Sequence, residues 1–233
     1  MTSIILKVKD LKVVFGKLIA VEKVDFELEK GESLAVIGPN GSGKTTLLRA
    51  LMKIIAYKGL IEWSAETKIA YVPQRIDLEK NLPLTVHDFL SAKIKLWRLS
   101  EKEIEAVLNL VNLPVSILRT RLGLLSAGQF QRTTIAFALI GNPNVILFDE
   151  PTAEVDLPGE EQFYDTLHRL QDERQLTLIV VSHDLSLVFR YATKVICLNG
   201  KMFCYGSPKE VLTTDQLHQL YGGSRGFYHH IHS

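Results

Sequence analysis

Ser33-Leu34-Ala35-Val36-Ile37-Gly38-Pro39-Asn40-Gly41-Ser42-Gly43-Lys44-Thr45-Thr46 passes from an unbroken apolar run, through a glycine-rich loop, into a helical pattern. An apolar run without alternation fits a strand buried on both faces. From Gly38 to Thr45 the spacing is G-x-x-x-x-G-K-[ST], in the strand–loop–helix context that motif requires. Glycines let the backbone curl until successive N–H groups point inward at phosphate oxygens. The helix start adds its partial positive charge. Lys44 is then placed to reach β- and γ-phosphates, and the Thr45 hydroxyl to ligate Mg²⁺. A glycine-rich turn with a surface lysine would need neither flank.

Outward from this loop the chain is ordinary in bulk. It has 233 residues, 46% hydrophobic and 23% charged, which excludes a disordered protein and leaves room for one to two domains. The formal net charge of +1 argues against bulk attraction to nucleic acid. No apolar run approaches the ~20 residues of a membrane span, and the first residues lack a secretory pattern. Two cysteines do not make a disulfide framework. Together these features point to the cytosol.

Strands are expected over 4–8, 12–15 and 21–28, then over 33–37, with a helix over 45–55. The middle is helical: Ser100-Glu101-Lys102-Glu103 has capping-box form, with Ile104, Val107, Leu108 and Val111 following and Pro114 stopping the run. Strands near 144–148, 176–181 and 194–198 then alternate with helices near 158–171 and 184–191, which predicts a parallel α/β architecture. Asn199-Gly200 signals a two-residue hairpin. In that register Cys197 faces Met202 and Cys204 faces Val195, so the cysteines read as free thiols. Ser207-Pro208-Lys209-Glu210 starts another helix.

Two further constellations carry chemistry. Val145-Ile146-Leu147-Phe148 ends in Asp149-Glu150. A buried strand ends in two acids where something cationic is near, and ligands bind at the carboxyl ends of parallel strands. Asp149 suits the Mg²⁺ shell, and Glu150 suits an attacking water. Leu125-Ser126-Ala127-Gly128-Gln129 opens an apolar helix. It reads either as a plain capping box or as a receptor for a γ-phosphate, since Gly128 is odd in a purely structural first turn.

In order along the chain stand 38–45, Gln74 within Tyr71-Val72-Pro73-Gln74, 125–129, Asp149-Glu150-Pro151, Asp156, and His183 within Val181-Ser182-His183-Asp184. With these six motifs the chain resembles the nucleotide-binding subunits of ABC transporters over nearly its whole length. The resemblance implies an α/β fold: a P-loop NTPase (RecA-like) core over 1–77 and 139–233, carrying an N-terminal antiparallel β subdomain, and an inserted α-helical subdomain over 78–138. It implies ATP and Mg²⁺ as cofactors and a homodimer that sandwiches two nucleotides. In that arrangement Gly38, Pro39, Asn40, Gly41, Ser42, Gly43, Lys44, Thr45 and Thr46 hold one ATP, with Phe15 stacking on its adenine. Ser126, Ala127, Gly128 and Gln129 cap the nucleotide of the other copy, and Asp156 crosses the interface. Glu150, His183, Gln74 and Lys44 act in hydrolysis, and Thr45, Gln74 and Asp149 surround the metal. Three departures stand out. Ala127 replaces a commoner glycine, at ~1 kcal/mol if the site needs φ > 0. Glu154 adds an acid near the interface, and Phe15 replaces a commoner tyrosine.

Finer resemblance lies in the short 44–74 segment, in 82–90, in 182–187, and in Cys197-Leu198-Asn199 with 206–208, and is to zinc and manganese uptake ATPases. It implies integral membrane permease subunits and an extracytoplasmic metal-binding protein as partners, no nucleic acid, and a place on the inner face of the cell membrane. Residues 78–95 would supply part of the docking groove. Of seven histidines, four fall in the last sixteen residues, and His229, His230 and His232 could offer ligands to a borderline-soft metal or form a solvated tail. Two other classes fit less well. A soluble nucleotide-gated clamp acting on DNA or ribosomes would need a long coiled-coil insertion or a second cassette. A small-molecule P-loop kinase leaves 125–129 and His183 unexplained.

Overall fold

The computed structural model describes residues 3–74, 83–151 and 157–221. β1 (Ile4–Phe15) and β2 (Leu18–Glu29) form a long antiparallel hairpin whose buried residues alternate with exposed ones. The expected break at Asp10 is a bulge within one strand. Asp10 takes φ +50° and its N–H donates to Asp25 Oδ1 at 2.8 Å, so the strand kinks and continues. β3 (Ser33–Ile37) is buried along its whole length. α1 (Lys44–Leu51) follows and ends earlier than the sequence suggests, because Lys53 turns to φ +58°. β4 (Lys58–Trp63) and β5 (Ile69–Val72) come next.

The middle of the chain packs α2 (Val86–Trp97), α3 (Lys102–Leu110) and α4 (Ala127–Leu139), with two 3-10 turns between α3 and α4. The chain then alternates through β6 (Val145–Asp149), α5 (Leu157–Arg174), β7 (Thr177–Val181), α6 (Leu185–Tyr191), β8 (Lys194–Asn199) and β9 (Lys201–Gly206). It closes with α7 (Pro208–Val211) and α8 (Thr214–Tyr221). Among the described residues the strands form one sheet in the order β4-β1-β2-β9-β8-β3-β7-β6-β5. The section β8-β3-β7-β6-β5 is parallel, and the β4-β1-β2 end is antiparallel.

Burial explains the layering. Val145 and Leu147 of β6 face one core with Leu47, Leu48 and Leu51 of α1 and the hairpin β1–β2. Ile146 and Phe148 face the other core with Leu90, Leu108, Ile135 and Phe163 from the helices. β6 is covered on both faces, as its unalternating sequence predicts.

Two expectations are corrected. Ser100 does not close a capping box: α3 is preceded by Glu101 with no side-chain cap, and Glu103 instead accepts the Gly141 N–H at 3.2 Å. The cysteines are not free thiols. Asn199 pairs with Lys201 and Leu198 with Met202, then a register shift passes Phe203 and sets Cys197 opposite Cys204. The two are joined as a disulfide, Cα to Cα 5.0 Å. A two-residue turn at Asn199-Gly200 implies the wrong register because Gly200 alone forms the tip and the strand then bulges at Phe203.

Candidate nucleotide site

The carboxyl ends of four adjacent parallel strands converge on one edge of the sheet. β3 leads into the glycine loop, β7 into His183, β6 into Asp149 and Glu150, and β5 into Gln74. The register fixes their relative height: Val36 pairs with Val181, and Val181 with Asp149. This is the crevice in which open α/β sheets bind ligands.

The loop is held in a shape that only glycine allows at two points. A Cβ on Gly43 (φ +100°) would sit 2.7 Å from Ala20 O, and one on Gly38 would collide with Leu198 O. From the other side the Gly200 N–H donates to Ser42 O at 2.8 Å. The Ser42 hydroxyl is buried and has no hydrogen-bond partner among the described residues. Lys44 is 5% exposed and its Nζ donates to Gly38 O (2.9 Å) and Pro39 O (3.1 Å). Burial pushes the Lys44 pKa down, opposed by Glu150 and Asp149. An ammonium resting on neutral carbonyls beside an orphaned hydroxyl is suited to exchange them for an anion.

Asp149 is 2% exposed and accepts from Thr45 Oγ1 at 3.0 Å on Oδ1 and from the Tyr71 hydroxyl at 3.2 Å on Oδ2. Burial raises its pKa, partly offset by those two hydrogen bonds. A buried carboxylate next to a threonine hydroxyl is a hard oxygen pair that suits Mg²⁺. Glu150 follows at φ +48°, in the left-handed region. Such a conformation in a non-glycine residue costs on the order of 1–3 kcal/mol and points to a functional constraint. Its Oε2 accepts from Gln74 Nε2 at 2.7 Å. Its Oε1 lies 2.5 Å from His183 Nε2 and 3.5 Å from Lys44 Nζ.

A cleft of about 650 Å³ opens over these groups, within the ~300–1,000 Å³ usual for small-molecule sites. Asn40, Gly41, Ser42, Gly43, Lys44, Thr45, Thr46, Gln74 and Glu150 line its polar side. Phe15, Leu18, Ile19 and Ala20 line the other, and Phe15 is half exposed into it. Leu18, Ile19, Asn199 and Gly200 also border the cleft, although the sequence marked the last two only as a turn.

Ser126, Ala127, Gly128 and Gln129 are not brought to this cleft. They cap α4 at a separate, exposed tip. Ser126 Oγ accepts the Gln129 N–H at 3.2 Å, and Gln129 Oε1 accepts the Ser126 N–H at 3.0 Å. The box leaves the first N–H groups of the helix without intrahelical partners. Ala127 does not take a positive φ, so its departure from glycine is mild. Nothing lies within 4 Å of a Cβ built on Gly128, so this chain's own packing does not require glycine there. Asp156, Glu154, His229, His230, His232 and the stretch 78–82 of the expected docking segment lie outside the described residues.

Comparison with known proteins agrees with this geometry. The pattern of the family described as ABC transporter matches residues 21–153. The zinc import ATP-binding protein ZnuC of Mannheimia succiniciproducens is 33% identical over 98% of this chain and 87% of its own. That of Paracoccus denitrificans is 37% identical over 92% and 85%. A solved metal-chelate type ABC transporter in an inward-facing conformation superposes with TM-score 0.84 at 28% identity, covering 93% of this chain and 88% of that one.

Proposed function

Because the chain belongs to the ABC transporter family, we propose that it is the ATP-hydrolysing subunit of a metal-cation transporter. Its relatives named zinc import proteins support zinc as the cargo, and the resemblance carried by the sequence leaves manganese as the alternative. The cation would cross through partner permease subunits. Among the described residues no helix is long and apolar enough to cross a membrane. An extracytoplasmic metal-binding protein would deliver the cation, and the subunit would sit at the inner membrane face.

The observation that carries the mechanism is the separation of two phosphate-ready features on one chain. The cleft offers Lys44, the glycine loop and Ser42. The α4 tip offers unpaired N–H groups but stands apart from that cleft. One nucleotide gripped by both requires two copies, each supplying the half the other lacks. Lys44 would leave the Gly38 and Pro39 carbonyls for the β- and γ-phosphates. Phe15, with Leu18 and Ile19, would cover the adenine. Thr45 and Asp149 would hold Mg²⁺, with Gln74 beside them, and the ion when bound neutralises phosphate charge. Glu150 would take the proton of the attacking water, steadied by Gln74 and His183. ATP then holds the two copies together, and hydrolysis places two anions between them, which favours opening.

The test is Glu150→Gln. It should keep ATP binding, lose turnover by ~10²–10⁴-fold, and elute as a dimer with ATP in size-exclusion chromatography. A monomer under saturating ATP would overturn the two-copy arrangement. The cargo is tested by reconstituting the subunit with its permease in vesicles and comparing ATPase stimulation by zinc- and manganese-loaded binding protein.

A further inference from the structure

Asp149 is held from both of its oxygens, and only one of those contacts follows from the nucleotide motifs. Thr45 on Oδ1 belongs to the glycine loop. Tyr71 on Oδ2 comes from β5, at the far edge of the sheet. The parallel register explains its reach. Tyr71 pairs with Leu147, and Asp149 lies two residues on, on the same face of the neighbouring strand. The Tyr71 ring packs against the core beneath α1, which points its hydroxyl along the sheet to the carboxylate.

An Mg²⁺ ion demands near-octahedral geometry, whereas a carboxylate free to rotate offers its oxygens in many orientations. We propose that Tyr71 is a positioning residue for the metal: its hydroxyl fixes Oδ2 of Asp149 so that Oδ1 stays turned toward Thr45. A phenol hydroxyl is protonated near neutral pH, so it is a donor to the carboxylate. Hydrogen bonds of this kind to a metal-binding side chain fix its orientation, and their loss typically weakens metal affinity ~10–100-fold. The inference rests on the reading of Thr45 and Asp149 as the magnesium pair.

The experiment uses Tyr71→Phe, which keeps the ring and removes the hydroxyl. Mn²⁺ is titrated by electron paramagnetic resonance into purified protein with a non-hydrolysable ATP analogue. Nucleotide affinity in EDTA and the melting temperature are measured alongside. A loss of Mn²⁺ affinity of about tenfold, with metal-free nucleotide affinity retained, supports positioning. Wild-type Mn²⁺ affinity in Tyr71→Phe overturns it, and so does equal loss of metal-free nucleotide affinity, which would mark a purely structural role. If Tyr71→Phe does not fold, unchanged Mn²⁺ affinity in Tyr71→Leu, which also removes the hydroxyl, overturns the proposal. Asp149→Asn separates the two levels. An unchanged Mn²⁺ affinity there would remove the magnesium pair itself, whereas a loss there with none in Tyr71→Phe would remove only the role of the tyrosine.

Discussion

At the scale of single residues, the site is built from groups whose surroundings are unfavourable until a ligand arrives. Lys44 is buried with its ammonium on two carbonyl oxygens and Glu150 3.5 Å away, and the Ser42 hydroxyl has no partner among the described residues. Lys44→Ala should therefore weaken ATP binding by on the order of 10- to 100-fold, since a hydrogen bond to a charged group contributes ~1.5–3 kcal/mol. Isothermal titration calorimetry measures this, and unchanged affinity would remove the assigned role. Most of these residues were legible in the sequence because motif spacing encodes them directly: Thr45 meets Asp149, while Gln74, His183 and Lys44 gather around the adjacent Glu150. Tyr71 was quoted only as the run-up to Gln74. Its role depends on which strand lies beside β6, and no local pattern states that. The left-handed backbone at Glu150 was equally hidden, since acidic residues carry no sequence mark for it.

At the scale of elements, α4 shows how one helix start can satisfy its own chain and still leave something over. Its capping box is complete, as the Ser126–Gln129 spacing predicts, whereas the same spacing at Ser100–Glu103 fails. The difference is competition: the Gly141 N–H claims the Glu103 carboxylate. Gly128→Val should leave folding stability nearly unchanged, because open space surrounds the position and valine is no worse than glycine in a helix. Nucleotide binding by the single chain should persist, while ATPase activity falls by on the order of 100-fold, the usual result of blocking an oxyanion contact. Wild-type ATPase rates in this variant would count against a nucleotide approaching that tip. The β8–β9 hairpin carries the other lesson of this scale. Its existence was readable from Asn199-Gly200, but its register was not, because one bulged residue decides which side chains stand opposite.

At the scale of the whole molecule, two cores sit on opposite faces of one sheet, and a lysine helps tie α2 to α4. Lys93 Nζ donates to Phe137 O and Ala138 O at 2.9 and 3.1 Å and lies over the rings of Trp97 and Phe137. Burial pushes its pKa from 10.5 down to about 8. Between those values the unfolded chain binds more protons than the folded one, so this group adds stability as pH rises through that window. The penalty for its charge is fully present below about 8. The stability of the wild type relative to Lys93→Met should thus increase from pH 7 to pH 10, measured by urea unfolding at each pH. A difference, wild type minus Lys93→Met, that does not rise over this range would show that Lys93 titrates normally. The parallel order of the central strands was legible from their unbroken apolar runs. Neither β4 nor β5 was, since short edge strands lack that signal.

The tip at Ser126 and the cradle at Lys44 point into different spaces, and no bend of a single backbone described above brings them face to face. On the two-copy arrangement, the working unit is an encounter rather than a molecule. Its rate follows the product of two concentrations, so crowding subunits beneath a shared pore would govern their activity before any chemical step does.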